Sequence, residues 1–410
     1  MQQLRRLQRC ARTTSSRRKS STSIGTGVET AVYTWGVGSG GQLGHAKFEL
    51  EPGFIEESYV QEEPRRLVKS KQFRTLAIAE AFTLALSDTG HLFGWGQGFL
   101  GPNSASKEPQ IFPGNTLFRA VACGKRHAAA VDVDGLVHTW GYGGSWMGGG
   151  GQLGHNSTDA VAAPTLVEAF ESYGARAQSV SVGSQHTLIL TTDGEVLSCG
   201  VGEYGRLGTG NTGDSLVPAP LETLLDEDVV QVVAGHSHSI LLTSSGKCFT
   251  FGRNDTGALG HADSYIDIYS MEEFPRVLES KELAAAGQIV QVGAGRGTSA
   301  ALTAEGKLFL WGRHLGHVPT LVENALFDGL RVKKVALGGE AGRGVVAVVT
   351  EDDGLWTFGD GASKMLGFPK ASGKHPNPRR VPGFVGRRIL DVFCGPGQHM
   401  AALVASNNYS

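Results

Sequence analysis

A strand-like segment that ends in an aromatic residue (cysteine in one copy) and a glycine recurs seven times in this chain. The segments read VYTWG, LFGWG, VHTWG, VLSCG, CFTFG, KLFLWG and LWTFG, and they end at Gly36, Gly96, Gly141, Gly200, Gly252, Gly312 and Gly359. The final glycines lie 45 to 60 residues apart. A fixed period in this range indicates a repeat architecture, in which each unit buries its faces only against its neighbours.

Two further signatures accompany most copies. A G-x-L-G turn follows the strand and reads GQLG at 41–44 and 151–154, GRLG at 205–208 and GALG at 257–260, whereas copies 2, 6 and 7 depart from it. An alternating apolar run, a glycine and often a histidine precede the strand, as in 120–135, 179–194 and 230–246. Period-two alternation and glycine-closed turns predict short antiparallel β-strands rather than helices.

The predicted fold is an all-β, seven-bladed β-propeller over residues 31–410. Radial stacking of four-stranded blades buries both faces of each sheet and leaves few exposed edges. The first strand, at 31–36, lacks a leading hairpin, and the apolar runs at 389–405 lack a following strand. We therefore expect the N- and C-terminal strands to pair within one blade and close the ring.

The N-terminal segment 1–30 is predicted to be a disordered targeting tail outside the fold. Its first 28 residues contain seven basic residues and no acidic one, with Leu4 and Leu7 at helical spacing. A dispersed Arg- and Ser-rich composition is typical of a mitochondrial transit peptide, which predicts a matrix or inner-membrane-associated protein. A nuclear address built on Arg17, Arg18 and Lys19, or a plain basic tail, remains the alternative.

Charge and cysteine content exclude several classes of protein. The net charge of −2 combines this basic tail with a remainder of about −9, because the tail holds seven of the 37 basic residues and none of the 39 acidic ones. An acidic propeller is a poor candidate for unspecific nucleic-acid binding. Apolar runs are too short for a membrane span. The five scattered cysteines predict a reducing compartment.

Together, the W-G strand, the G-x-L-G turn and the G-x-x-H segment resemble the regulator of chromosome condensation repeat family. The resemblance extends from residue 31 to 405 and implies a seven-bladed propeller, here similar to mitochondrial-type members. We interpret the following matching residues as structural repeat positions: Trp35, Gly36, Gly41, Gly44, His127, Trp140, Gly151, Gly154, His186, His238 and Trp311.

Three motifs suggest chemistry but are better explained by the repeat. G-x-G-x-x-G begins at Gly36, Gly96 and Gly200 without opening a helix, so we interpret it as a blade turn and predict no nucleotide cofactor. The recurring histidines permit a metal or catalytic role, yet a position repeated around a ring is more often structural. Cys123 and His127 have zinc-like spacing, but Val182 and Ala234 occupy the cysteine position elsewhere. We predict no metal and no catalytic residue.

One irregular loop breaks the repeat in copy 3. Five extra residues separate Gly141 from Gly151 relative to copy 1, and the loop contains Tyr142, Ser145, Trp146 and Met147. This loop either packs on the propeller or offers apolar anchors to a partner. The resemblance adds that an exchange factor of the family carries an insertion in its third copy, against its GTPase.

These observations predict a monomeric, non-enzymatic interaction platform in mitochondria that supports organellar gene expression or complex assembly. Its expected partners are proteins such as ribosomal or RNA-processing components. The alternative is a guanine-nucleotide exchange factor for a small or dynamin-like GTPase, without covalent chemistry. Light sensing, which the family includes, uses tryptophans in the G-x-x-H segments. Here those segments read GKRHA, GSQHT and GHSHS, so we do not predict it.

Overall fold

Seven four-stranded antiparallel sheets form the protein in the computed structural model. The structure describes residues 28–45, 59–67, 72–101, 103–144, 149–262, 266–340 and 342–406. Each sheet is one blade, and blade n contains the aromatic-glycine strand of copy n, so the prediction of a seven-bladed, all-β propeller is confirmed.

The strands follow the repeat in chain order. The chain begins with β1 (Thr30–Val37) and β2 (Val60–Arg66). Blades 2 to 4 comprise β3 (Phe73–Ile78), β4 (Phe82–Ser87), β5 (Leu92–Gln97), β6 (Ala105–Ile111); β7 (Phe118–Cys123), β8 (His127–Asp132), β9 (Val137–Gly141), β10 (Val161–Leu166); and β11 (Ala177–Val182), β12 (His186–Thr191), β13 (Val196–Gly200), β14 (Ser215–Pro220).

Blades 5 to 7 continue the same pattern, and the last two strands complete blade 1. These blades comprise β15 (Val229–Ala234), β16 (His238–Thr243), β17 (Cys248–Arg253), β18 (Met271–Val277); β19 (Ile289–Ala294), β20 (Thr298–Thr303), β21 (Leu308–Gly312), β22 (Gly316–Val322); and β23 (Val332–Glu340), β24 (Arg343–Thr350), β25 (Leu355–Asp360), β26 (Lys374–Arg380). Blade 1 adds β27 (Ile389–Cys394) and β28 (His399–Ala405).

Helical segments are short. Among the described residues, the α-helices are α1 (Glu168–Tyr173) and α2 (Lys281–Ala285), and the 3₁₀ turns are Glu203–Gly205, Glu222–Leu224, Asn324–Phe327, Gly361–Ser363 and Pro382–Phe384. Within the described ranges, no helix has the length and apolar character needed to cross a membrane.

Blade 1 joins the two ends of the chain. Its strand order is β2-β1-β28-β27, and the β1–β28 ladder runs from Thr30 opposite Ala405 to Gly36 opposite His399. Backbone hydrogen bonds between the first and last strands therefore close the ring. Both ends of the described chain leave this blade at the same side.

The strand-ending glycine is required by the close contact of neighbouring strands. Gly36 has a φ of +111°, and a Cβ there would lie 2.2 Å from the carbonyl oxygen of Gln398. The pairing of β1 with β2, the outermost strand of blade 1, also shifts register here, between Thr34 and Gly36. A residue with a side chain would be strained in this conformation and would collide with β28.

The antiparallel order gives the propeller two distinct ends. Turns between first and second strands, such as 124–126, and loops between third and fourth strands, such as 142–160, lie at one end, which we call the loop face. The hairpins between second and third strands, such as 133–136, lie at the opposite end with both chain ends. The copy 3 insertion therefore belongs to the loop face.

Candidate partner-binding face

A cavity of about 100 Å³ opens on the ring axis at the loop face. All seven blades contribute the ends of their first strands or the turns that follow them to its wall, including Cys123, Lys125, His236, Arg296 and Cys394. Small-molecule sites usually enclose about 300–1,000 Å³. The axial cavity is therefore better suited to contact by a protein surface than to enclosure of a nucleotide.

The glycine of the G-x-x-H segment lets the axial turns approach one another. A Cβ on Gly124 would lie 1.9 Å from the carbonyl oxygen of Gly183 in the next blade. Main-chain hydrogen bonds link neighbouring turns where they meet, for example from Ser184 N to His236 O (3.3 Å) and from His236 N to Gly295 O (3.1 Å). These contacts fix the main chain of neighbouring axial turns relative to one another.

Positive charge gathers beside the axis. Lys125 and Arg126 share one acidic neighbour, Glu80, at 3.6 and 3.9 Å, and the side chain of Arg126 is largely exposed. Burial, together with Arg296, Arg206 and Lys125, lowers the pKa of His236 to about 3. His236 is therefore neutral at physiological pH, and the positive charge comes from Lys125, Arg126 and Arg296.

The copy 3 insertion begins next to this cationic group. Tyr142 is 38% exposed, and the Arg126 guanidinium lies 5.5 Å from its ring centroid. Such a geometry is a cation–π contact. The Tyr142 N–H donates to Arg126 O (3.1 Å), and Tyr142 O accepts from the Gln152 amide (2.8 Å). Hydrogen bonds therefore fix both main-chain polar groups of Tyr142, its N–H and its carbonyl oxygen.

The stem of the insertion is closed by its own backbone. Gly151 N donates to Gly143 O (2.8 Å), a bridge joins Gly144 to Gly150, and the Asp214 carboxylate accepts from Gly150 N (2.9 Å). The predicted contact residues at the tip, Ser145, Trp146 and Met147, lie outside the described residues. Of the predicted loop residues, Tyr142 is the one that the structure places.

The recurring histidines connect neighbouring blades. Each Nε2 lies 3.0 Å from a hydroxyl in the next blade, and that hydroxyl donates to a main-chain carbonyl of the intervening turn. The pairs are His127 with Thr187, His186 with Ser239, His238 with Ser299, and His399 with Thr83. The corresponding carbonyls belong to Gln152, Arg206, Ala258 and Gln42.

This hydrogen-bond order fixes the histidine tautomer. Because the hydroxyl proton is given to the carbonyl, the histidine Nε2–H must be the donor to the hydroxyl oxygen. Burial lowers the pKa of His127 to about 3 and that of His238 to about 4. These side chains are therefore neutral in the fold, and they join the blades rather than face the axial cavity.

His399 belongs to the same set, but its sequence pattern obscures it. In the other copies, the histidine follows its glycine by three positions, whereas Gly395 precedes His399 by four. The extra residue lies in the turn, and β28 still begins at His399. The register to Gly36 in blade 1 identifies its position in the repeat.

Metal-binding chemistry finds little support in the described part of the chain. No group of three or more His, Cys, Asp or Glu side chains lies together there. Cys123 and Cys394 both line the axial cavity, and burial raises the pKa of each thiol. A thiol that resists deprotonation is a poor metal ligand and a poor nucleophile.

The W-G strand and the G-x-L-G turn form a clamp between blades. Four tryptophans are fully buried, and each indole N–H donates to a main-chain carbonyl of the preceding copy's turn. The pairs are Trp35 with Met365 (2.7 Å), Trp95 with Gln42 (2.9 Å), Trp140 with Phe99 (2.8 Å), and Trp311 with Ala258 (2.8 Å). The two sequence signatures thus belong to one contact.

Known proteins are similar to this chain in sequence and in fold. Residues 18–263 match the RCC1-like domain, and 245–302 and 352–403 match the regulator of chromosome condensation (RCC1) repeat. The chain is 31% identical to the ultraviolet-B receptor UVR8 of Arabidopsis thaliana, a match that covers 90% of the chain and 80% of the receptor. It is 30% identical to the mitochondrial RCC1 domain-containing protein RUG3 of the same plant, with 83% and 80% covered.

A solved structure agrees with the architecture. Prp20p of Saccharomyces cerevisiae superposes with a TM-score of 0.78 at 19% identity, over 94% of this chain and 93% of that one. At this identity the likeness concerns the fold. Together with the domain and repeat matches over most of the sequence, it leads to one conclusion: the chain belongs to the regulator of chromosome condensation (RCC1) family.

Proposed function

We propose that this protein is a non-catalytic interaction platform in mitochondria and that its loop face binds protein partners. The observation that carries the proposal is the grouping of Lys125 and Arg296 around the axial cavity, with Arg126 and Tyr142 beside it. It combines the exposed positive charge of Arg126 with the aromatic ring of Tyr142, a residue whose main chain is held by hydrogen bonds. Aromatic and Arg side chains in such settings are favoured interface anchors, and the positive charge suits an acidic protein patch.

The mitochondrial location is supported by the relative and by the tail. RUG3 is described as mitochondrial, and residues 1–30 have the composition of a transit peptide. We expect a fluorescent reporter fused to residues 1–30 to enter mitochondria, and the same fusion with Arg5, Arg6 and Arg9 changed to Glu to stay outside. Nuclear fluorescence would instead support the address at Arg17–Lys19.

The proposed division of labour is a removable tail within 1–30, which ends before β1 begins at Thr30, and a propeller over 31–410 that does the binding. Partners in organellar gene expression or complex assembly should be recovered by proximity labelling with the full chain. Reversing the charge of Lys125, Arg126 and Arg296 to Glu should remove most of these partners. The matched control reverses Lys247, Lys281 and Lys307, which lie away from the loop face. Equal losses in both triple variants would contradict the proposal.

A second candidate is guanine-nucleotide exchange, favoured by the position of the copy 3 insertion. Family resemblance places a GTPase-contacting insertion in the third copy, and Prp20p is described by its binding to Gsp1p and histones. In this mechanism, Tyr142–Met147 would disturb the phosphate contacts of a bound nucleotide without covalent chemistry. The chain should accelerate mant-GDP release from an organellar GTPase, and Trp146→Ala should abolish the gain. Unchanged release from the GTPases recovered as partners would exclude it.

A further inference from the structure

Copy 6 lacks the turn that fills the junction between two blades. The last glycine of the G-x-L-G turn follows the strand glycine by eight positions in copies 1, 4, 5 and 7, as from Gly36 to Gly44. In copy 6, Gly316 follows Gly312 by only four positions, and β22 begins at Gly316 itself. The junction of blades 6 and 7 therefore receives no full-length turn.

In the copies with a longer turn, the turn inserts a leucine into the core. These leucines are at most 1% exposed: Leu43, Leu153, Leu207, Leu259 and Leu366. Each leucine carbonyl accepts from a hydroxyl two residues before the strand glycine, on Thr34, Thr139, Ser198, Thr250 and Thr357 respectively. The occupant of such a junction is thus a peptide turn with an aliphatic side chain.

Blades 6 and 7 have lost the polar partners of this turn together with the turn itself. Leu310 stands where the longer copies have the anchoring hydroxyl. In blade 6, Ser299 lies opposite Trp311. The equivalent pair in blade 7 is Val346 opposite Phe358. Neither Leu310 nor Val346 can donate a hydrogen bond to a turn carbonyl. At these two positions the junction is therefore apolar.

A cavity of about 170 Å³ lies between blades 6 and 7 at the loop face. Leu315, Val346, Phe358 and Pro376 supply apolar wall. The remaining lining includes three basic residues and two acidic ones, namely Arg296, Arg313, Lys374, Glu340 and Asp360. This volume lies below the range for small-molecule sites and suits one or two side chains.

The polar atoms of the cavity favour an acidic group on the occupant. Arg296, Arg313 and Lys374 outnumber Glu340 and Asp360 in the lining, and the Asp360 carboxylate already accepts a hydrogen bond from Ala362 N (2.8 Å). This excess of positive charge favours an acidic group on the partner.

We propose that this cavity is a docking site for a protein partner's loop, which inserts a leucine-sized aliphatic side chain with an acidic residue beside it. The inference rests on the proposed platform function and specifies the chemistry of the partner. At the filled junctions, a peptide turn with a buried leucine occupies the equivalent place between two blades. The described chain ends, at the start of β1 and the end of β28, lie at the opposite face.

A peptide that reproduces the missing turn tests the cavity directly. The probe is residues 254–261 (NDTGALGH) closed by flanking cysteines, because a preorganised loop loses less entropy on binding. Saturable binding to the full chain is expected by fluorescence polarisation. Replacing the probe's leucine by alanine should weaken binding about tenfold or more, and replacing its aspartate by asparagine should weaken it severalfold. A probe that fails to bind, or an alanine probe that binds equally, would overturn the proposal.

A variant of the protein separates this site from the rest of the loop face. Val346→Phe fills the cavity and should abolish probe binding with an unchanged melting temperature, whereas Val290→Phe, at an exposed position of β19, should leave binding intact. Probe binding that survives Val346→Phe contradicts the assignment. In proximity labelling, partner loss in the axial charge-reversal variant but not in Val346→Phe would refute the cavity and leave the platform function standing. Competition by a peptide of residues 1–27 would identify the tail as occupant instead.

Discussion

Copies 2 and 6 both have a shortened turn after the strand glycine, and the two blade junctions that follow these copies differ in what fills them. In copy 2, Gly101 follows Gly96 by five positions, and the junction of blades 2 and 3 is filled by Phe99, which is 3% exposed. Gly94 provides the space, since a Cβ there would lie 2.5 Å from the Phe99 ring. At the junction of blades 6 and 7, Leu310 occupies the position equivalent to Gly94, and a cavity remains there.

The closed junction also keeps its polar clamp. The Trp140 indole donates to Phe99 O (2.8 Å), so one residue supplies both the apolar filling and the acceptor. In blade 7, Phe358 has no such donor. A propeller therefore tolerates a shortened turn in two ways, by a compensating side chain or by an apolar cavity that another molecule can use.

The largest difference between the junctions is expected on truncating their central side chains. Phe99→Ala should destabilise the protein by about 3–5 kcal/mol, because it empties a packed site between Phe112 and Trp140. Leu315→Ala, at a half-buried residue beside an existing cavity, should cost less than about 1 kcal/mol. Urea unfolding at neutral pH measures both. Equal costs would show that the two junctions are packed alike.

The architecture was predictable because its signatures are local and repeated. Trp35 with Gly36, and the glycine turns that follow, recur because each one satisfies the same contact between blades. The open cavity was not predicted, because turn length alone, five positions in copy 2 and four in copy 6, does not show whether a side chain fills the junction. The filling depends on the packing of Phe99 against Gly94 in copy 2, and copy 6 has Leu310 in place of that glycine.

The candidate site was predictable in part. The copy 3 insertion stood out by length, and Tyr142 lies on the loop face as a loop between third and fourth strands must. The cationic group of Lys125, Arg126 and Arg296 was missed, because its members are far apart in sequence and meet only at the ring axis. Basic residues in the axial turns of a chain already recognised as a propeller are the signal that finds them.

Overpacking should reveal the same contrast in the opposite direction. Ala128 and Val346 hold equivalent positions, opposite Trp140 and Phe358 respectively. Ala128→Phe has to displace Phe99 or Trp140 and should destabilise by about 1–3 kcal/mol or more. Val346→Phe enters free space and should be neutral or slightly stabilising. Thermal melts of the pair decide, and a similar loss in both variants would mean that the cavity collapses in solution.

Low pH should destabilise the blade junctions that contain a buried histidine. It should have little effect at the open junction, where Thr298 occupies the histidine position. Burial lowers the pKa of His238 from 6.5 to about 4 in the fold. Between these values the unfolded chain binds a proton that the folded chain excludes, so stability falls as the pH drops below 6.5. The loss for this one side chain should reach roughly 2 kcal/mol near pH 5.

Replacing His238 isolates that contribution. His238→Phe copies the residue found naturally at Phe82 and should reduce the slope of stability against pH between 6.5 and 4 by up to one proton. Urea titrations across this range measure the slope, and His91→Phe on a surface hairpin serves as the control. An unchanged slope in His238→Phe would indicate that His238 is already protonated in the folded protein.

The smallest effect should come from restoring the missing turn. Replacing residues 313–316 by 253–260 of copy 5, with Leu310→Thr to anchor the leucine carbonyl, should close the junction of blades 6 and 7. The gain should be about 1 kcal/mol, since burial of a leucine is offset by ordering a longer loop. The same graft without Leu310→Thr lacks the hydroxyl and should gain less, as thermal melts would show. If the complete graft melts below the unmodified protein, the turn does not fit between these blades, and the cavity has diverged in shape as well as in sequence from the junctions that a turn fills.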